Sequence, residues 1–382
     1  MKIVVAPDKF KGSLNADAAA RAIARGLSET LPAASIACIP MADGGEGTVD
    51  SFLDSGAQRR HARVHGPLGA PADAVFAIDG ETAIVEMASA SGLSLVPMRE
   101  RDPMRATTFG TGELLLAALD ARVRRIVIGI GGSATNDGGA GMLTALGARL
   151  LDDAGEPLAL GGAALSRLAA IDLAGLDPRL GSVALHVACD VDTPLLGSLG
   201  ATATFAAQKG AAPSQIDELE RGLERYAAIA EATIARAVRA LPGSGAAGGT
   251  GFGLALLGAQ LGRGVDLVAE VRGLPLALEG AALCITGEGR IDAQTLAGKV
   301  VDGVARLARA RGVRVVAFAG AIDAAVEPEL WSRGIAAFPI VSAPVPLSHA
   351  VADAEPLLAA AAARLGRVLH TPTDWGGIVR RV

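Results

Sequence analysis

Aromatic residues are scarce in this chain: Phe, Trp and Tyr together make up 3% of 382 residues. Recognition of single-stranded nucleic acid by base stacking relies on such rings, so their scarcity speaks against it. Basic charge is not in excess either. Lys and Arg number 35 against 40 Asp and Glu, a net charge of -5, so the footprint of a nucleic-acid binder is missing and any anionic ligand must be attracted locally. Cys38, Cys189 and Cys284 are odd in number and lack a C-x-x-C spacing, which fits free thiols in a reducing cytosol better than disulfides or zinc. Long apolar runs are absent as well. The Ala-rich stretch 222–241 is broken by Glu224, Arg225, Glu231, Arg236 and Arg239, short of the roughly 18 uninterrupted apolar residues of a membrane span. Five apolar residues between Lys2 and Asp8 are too few for the core of a signal peptide. The expectation is a cytoplasmic protein with a small-molecule ligand, no nucleic acid and no membrane.

What the chain does have is small residues: 49 glycines and an apolar fraction of 51% in which Ala leads. Its length exceeds the roughly 250 to 300 residues at which single cores stop growing, so two domains are expected. Ile3-Val4-Val5-Ala6 reads as a strand, Ser13-Leu14-Asn15 as the cap of a helix of about fifteen residues, and Ser35–Met41 as a second strand. That βαβ pattern implies parallel strands whose carboxyl-end loops are open to ligands. Ala74–Ile78 and Ala83–Glu86, separated by Asp79-Gly80, read instead as an antiparallel hairpin. From Leu114 to Leu185 helices and strands alternate again. The Gly-rich stretch Pro242–Gly253 should precede a helix ending near Gly262 or Gly264. Further strands are expected at Leu283–Ile285, Val313–Ala317 and Ala336–Val341. The predicted fold is α/β: a discontinuous Rossmann-like parallel-sheet domain of residues 1–57 and 276–382, with a mixed α/β domain, 58–275, inserted. The active site is expected in the cleft between them.

Residues 129–141, Gly-Ile-Gly-Gly-Ser-Ala-Thr-Asn-Asp-Gly-Gly-Ala-Gly, follow the apolar run Arg125–Ile128. So bare a backbone after a strand marks a tight turn or a place where another group approaches the main chain closely. One alternative is a dinucleotide fingerprint, since Gly129 to Ala134 fits G-x-G-x-x-A, but Asn136-Asp137-Gly138-Gly139 interrupts the positions where its helix should start. A Walker A loop is absent: around Gly298-Lys299, Ala293 stands for the first glycine and Val300 for the hydroxyl residue. Four more loops, Asp8–Ser13, Asp43–Gly47, Asp190–Thr193 and Gly287–Asp292, also follow apolar runs and combine charge or hydroxyl with flexibility. Phosphoryl transfer needs that combination: carboxylates for a metal or a proton, cations and backbone N–H groups for phosphate.

The motifs Ala6-Pro-Asp-Lys-Phe-Lys-Gly-Ser-Leu14, Ala42-Asp-Gly-Gly-Glu-Gly-Thr48, Gly110-Thr-Gly-Glu113, Gly129–Gly141 and Thr286-Gly-Glu-Gly-Arg-Ile-Asp292 closely resemble those of the bacterial glycerate kinase type 1 family, in order, over residues 1 to about 369. The resemblance implies two α/β domains with the active site between them. It also implies ATP-dependent phosphorylation of D-glycerate to 2-phosphoglycerate, with Mg²⁺ expected from the loop carboxylates. Attack by the 3-hydroxyl, or an NAD-linked hydroxy-acid dehydrogenase, are the alternatives. Position 9, often Ser in the family, is Lys9 here and takes no assigned role. The tail 371–382 matches no family motif, and a homodimer is left open.

Roles are assigned as follows. Lys11, beside Gly12-Ser13 at the expected helix start, and Lys299 face phosphate. Gly131, Gly132, Ser133, Asn136, Gly138 and Gly139 form a phosphate cradle. Asp137 and Asp190 are the leading carboxylates for Mg²⁺ and for the general base, the alternative for each being a helix cap. Arg290 pairs with the glycerate carboxylate, and Asp8, Asp43, Glu46, Glu288 and Asp292 touch the substrate or hold the groups that do. His186 is read as a core histidine, and His61, His65, His349 and His370 lie in no charged loop.

Overall fold

Ile3, Val4 and Val5 have no solvent exposure. The short strand that carries them, Lys2–Val5, needs neighbours on both sides to bury it. In the computed structural model, which describes residues 1–370, it lies inside a five-stranded sheet. The spatial order is Ile335–Pro339, Arg314–Ile322, Leu283–Ile291, Lys2–Val5, Ser35–Cys38, with every pair parallel. The tail 371–382 lies outside the described residues.

Helices supply the crossovers that parallel pairing demands. Ala16–Thr30 begins where the Asn15 side chain accepts the Ala18 N–H at 2.7 Å, as the cap reading expected. Its Ala19, Ala20, Ala22, Ile23 and Leu27 are buried against a core shared with Leu358 and Ala362 of the helix Ala354–His370. A Cβ on Gly26 would stand 2.0 Å from the Ala359 carbonyl oxygen. The small side chains so frequent in the sequence are what allow these helices to lie so close.

From Lys2–Val5 the chain moves to one side, to Ser35–Cys38, and later returns on the other, at Leu283–Ile291. The gap between Lys2–Val5 and Leu283–Ile291 is therefore a topological switch point, the place where open α/β sheets bind ligands beyond their carboxyl ends.

The second unit has a six-stranded mixed sheet of order Gln260–Gly262, Ala184–Ala188, Arg125–Gly129, Thr82–Glu86, Pro71–Asp79, Gln58–His65. The first four strands are parallel and the last two add antiparallel. The expected hairpin is there: Asp79 pairs with Thr82, leaving Gly80-Glu81 as its two-residue loop. Met142, Leu223, Tyr226 and Phe252 join the sheet residues Val85, Ile126, Ile128 and Val187 in one core.

The compact units are Met1–Ala42 with the chain from Val268 onward, and Asp43–Leu267, where the sequence reading sets boundaries at 57/58 and 275/276. The helix Thr48–Asp54 goes with the second unit because it packs on Pro71–Asp79 and Thr82–Glu86, and the Val49 N–H donates to Glu86 at 2.8 Å. The Gly-rich stretch also differs from expectation. It enters the helix Ala246–Leu256, with Ala247, Gly248 and Gly249 left-handed, and a short strand, Gln260–Gly262, stands where the helix was expected to end. A Cβ on Gly248 would sit 1.9 Å from the Thr135 carbonyl oxygen, so this backbone packs directly on the 129–141 loop. Among the described residues no helix is long and apolar enough to cross a membrane.

Candidate active site

In the first unit, the carboxyl ends at the switch point bring together most of the charged residues expected there. The Asp8 N–H donates to the Gly287 carbonyl at 2.8 Å, joining the two loops, and Asp8 Oδ1 accepts the Lys9 N–H at 2.7 Å. Gly289 lies against the Lys11 backbone: a Cβ there would be 3.1 Å from the Lys11 nitrogen. Glu288 Oε1 accepts the Thr295 hydroxyl at 2.6 Å and Asp292 Oδ1 accepts the Gln294 N–H at 2.9 Å. Arg290 is largely exposed, with Nε 3.9 Å from Asp292, and Lys299 Nζ donates to Gln294 at 3.0 Å. Lys299 immediately precedes the helix Val300–Arg309, a position that favours anions through the unpaired N–H groups of the first turn.

One expectation is corrected here. Lys11 does not open a helix. Phe10–Leu14 closes on itself through Phe10 N–H to the Leu14 carbonyl at 2.8 Å, and the following helix is capped by Asn15. Lys11 is an exposed loop lysine whose charge, without a helix dipole, is what it offers an anion.

In the second unit, the 129–141 loop divides into an open half and a buried half. Gly131 and Gly132 are exposed. Together with Ser133, Asp190 and Lys209 they line a cavity of about 250 Å³. At Gly131 a Cβ would meet nothing within 4 Å and the backbone is not left-handed. Neither packing nor conformation requires glycine there.

Asn136, Asp137, Gly138 and Gly139 behave differently. Asn136 is fully buried and its Nδ2 donates to Thr202 at 3.1 Å. The Gly138 N–H donates to the Gly248 carbonyl at 3.0 Å, and a Cβ on Gly139 would lie 3.0 Å from Gly253 Cα. These residues shape the loop from behind, so of the expected cradle only Gly131, Gly132 and Ser133 line the cavity.

Asp137 is corrected for the same reason. It has no exposure. Its Oδ2 accepts from the Thr108 N–H at 2.8 Å, the Thr108 hydroxyl at 2.9 Å, the Gly141 N–H at 3.2 Å and the Thr107 hydroxyl at 3.3 Å. Its Oδ1 accepts the Gly139 N–H at 3.2 Å. Burial raises its pKa and these hydrogen bonds oppose the rise. A carboxylate so enclosed ties the loop down and is not presented to a metal. Asp137→Ala should therefore cost about 3 kcal/mol or more in stability, since several buried donors lose their acceptor. A urea denaturation midpoint equal to that of the unaltered chain would return Asp137 to the list of metal ligands.

Asp190 is placed at the cavity, after the strand Ala184–Ala188. Its Oδ1 accepts the N–H of Gly264, first residue of the helix Gly264–Val271, at 3.1 Å, so the cap reading is true of one oxygen. Part of the residue is open to solvent, yet the surroundings of the carboxyl are desolvating enough to raise its pKa. The Gly264 hydrogen bond opposes that rise, the Asp43 charge adds to it, and Arg263 and Asp266 act in opposite senses. Asp43 Oδ1 accepts the Gly45 N–H at 3.0 Å, while Gly44 and Gly45 line the same cavity. Glu46 is exposed. No three carboxylates, histidines or cysteines among the described residues converge as a metal cage. That is compatible with Mg²⁺, which is commonly held by one or two carboxylates together with substrate phosphates.

Two features of this unit are not apparent in the sequence. Lys209 is 1% exposed and sits in the cavity wall, where an Ala-rich surrounding sequence gave no sign of it. His65 was read as lying in no charged loop, but its Nδ1 is 2.8 Å from Glu113 Oε1, which gives the Gly110–Glu113 motif a structural use.

The dinucleotide alternative fails on geometry. After the strand Arg125–Gly129 the next helix begins only at Ala140, so the chain does not turn from strand into helix within the glycines. A model of the glycerate kinase family matches residues 3–370. The chain belongs to the glycerate kinase family. It is 51% identical over 355 residues to the glycerate kinase of Bacillus subtilis (strain 168), spanning 92% of this chain and 93% of that one. It is 49% identical to the glycerate 2-kinase of Escherichia coli (strain K12), spanning 84% and 86%. A crystal structure assigned as glycerate kinase 2 from Salmonella typhimurium LT2 matches with a TM-score of 0.88 at 45% identity, over 97% of this chain and 98% of that one. Family membership makes the chain a kinase with ATP as co-substrate, and the α/β fold with a parallel sheet and a mixed sheet is the one expected.

Proposed function

We propose that the chain transfers the γ-phosphoryl group of ATP to the 2-hydroxyl of D-glycerate, giving 2-phosphoglycerate and ADP. The observation that carries this reading is the open glycine turn Gly131-Gly132-Ser133 facing the same cavity as Asp190, within a chain whose relatives include a glycerate 2-kinase. Backbone N–H groups in such a turn bind phosphoryl oxygens without adding side-chain bulk. Asp190 accepts the proton of the attacking hydroxyl, a task suited to a carboxylate whose pKa is raised by partial burial. In the first unit Arg290, with its planar fork exposed at the switch point, and Lys11 and Lys299 offer cations that attract anionic groups.

Asp43, together with the substrate phosphates, would hold Mg²⁺, which when bound neutralises phosphate charge as transfer proceeds. A divalent cation there would also offset the like charge that Asp43 places on Asp190. ADP release from ATP should depend on D-glycerate and stop in excess EDTA. Undiminished turnover in EDTA would remove the metal from this reading, and ADP release indifferent to glycerate would remove the acceptor.

A further inference from the structure

Lys209 ends the short turn Ala207–Lys209, leading toward the long helix Pro213–Ile234. Lysine is seldom buried unless it is paired, because an isolated ammonium loses its hydration without compensation. Here the side chain is enclosed and Nζ donates to the Thr135 carbonyl at 2.6 Å. An ammonium carries three donors, and the Lys209 ammonium forms no other hydrogen bond and no ion pair among the described residues.

The groups around it do not fill that gap. Asp137, on the 129–141 loop, acts on Lys209 electrostatically, but its oxygens are held by Thr107, Thr108, Gly139 and Gly141. Tyr226, on Pro213–Ile234, is buried with its hydroxyl unpartnered. Its pKa is raised by burial and by the Asp137 charge, so it stays a neutral phenol. Cys189 and Asp190 line the cavity from the loop after Ala184–Ala188. Burial raises the Cys189 thiol, and Asp190 directs one oxygen to Gly264. Lys209 itself lines the cavity, where the exposed backbone of Gly131 and Gly132 forms another part of the wall.

We infer that the Lys209 ammonium is a ligand-contacting group of this cavity, donating a charge-assisted hydrogen bond to a carboxylate or phosphoryl oxygen of the bound substrate. The inference rests on the kinase reading of the same cavity. Burial lowers the Lys209 pKa to about 7, opposed by Asp137. The ligand-free amine therefore holds its proton less tightly than an ordinary lysine, and an oxyanion arriving beside it favours the charged form and draws in a proton. A lysine that merely props up the Thr135 carbonyl would show no such coupling.

The test is calorimetric titration at pH 8 in EDTA, with D-glycerate alone and ADP alone, in buffers of different ionisation enthalpy. One of the two ligands should bind with uptake approaching one proton. Lys209→Met should weaken that ligand by about 10- to 100-fold, the range of a charge-assisted hydrogen bond, abolish the uptake, and leave the other ligand unaffected. Loss with D-glycerate identifies the carboxylate, and loss with ADP identifies phosphate. Lys209→Arg, permanently charged, should bind without proton uptake. Absence of proton uptake by the unaltered protein with both ligands overturns the inference even if neither variant folds, as does full affinity in a folded Lys209→Met. Glycerate-dependent ADP release by the unaltered protein tests the kinase reading separately, so an active enzyme without proton-linked binding loses the Lys209 role alone.

Discussion

Asp190→Asn should lower kcat by about 10²- to 10⁴-fold while the melting temperature barely moves, the loss typical of removing a proton acceptor or a charge used in the transition state. The structure makes this substitution unusually clean. Asp190 Oδ1 also accepts the Gly264 N–H that starts a helix, and Asn caps helices about as well as Asp. The asparagine therefore keeps the cap and removes only the charge. Asp190→Ala removes both, and should add about 1 kcal/mol of destabilisation to the same loss of rate. If Asp190→Asn retains kcat, Asp190 is a cap and nothing more. The charge would then be sought at Asp43, whose field already acts on this carboxyl.

Gly131→Val should reduce kcat/KM for ATP by about 10²-fold, the scale expected when reacting groups are displaced by about an ångström, with unfolding unchanged. Most glycines of the loop cannot give so simple an answer. Gly132 and Gly138 are left-handed, and a Cβ on Gly138 would stand 2.7 Å from the Tyr226 ring, so substitution there confounds strain with function. At Gly131 the space is open and the backbone ordinary. A valine side chain would occupy only the volume that the phosphate reading reserves for a ligand. Wild-type kcat/KM in Gly131→Val would make the open turn incidental.

Both effects trace to features the sequence displays openly, namely polar loops directly after apolar strands. Asn15 as a cap, the hairpin around Gly80 and the parallel strands at both chain ends follow from local chemistry, and the structure contains them. What sequence could not decide is which charges face inward. Asp137 and Asp190 are equally acidic in the chain, but Thr107 and Thr108, about thirty residues before Asp137, fold over it and consume its acceptors. Lys209 has the opposite history. Its neighbours in sequence are unremarkable, and only tertiary packing against the Thr135 carbonyl encloses it. Lys11 was misjudged by a single turn of loop, because Phe10–Leu14 pairs with itself before the helix starts. The boundary at 42/43 was equally hidden, since the helix Thr48–Asp54 packs on strands that come after it.

Phosphorylation of D-glycerate at its 2-hydroxyl is decided by the identity of the product. The purified protein is incubated with ATP, Mg²⁺ and D-glycerate, and the phosphate ester is identified by ³¹P and ¹H NMR. The expected product is 2-phosphoglycerate, accumulating in step with ADP. Formation of 3-phosphoglycerate would contradict the assigned position of attack, and ATP left intact in the presence of D-glycerate would contradict the function itself.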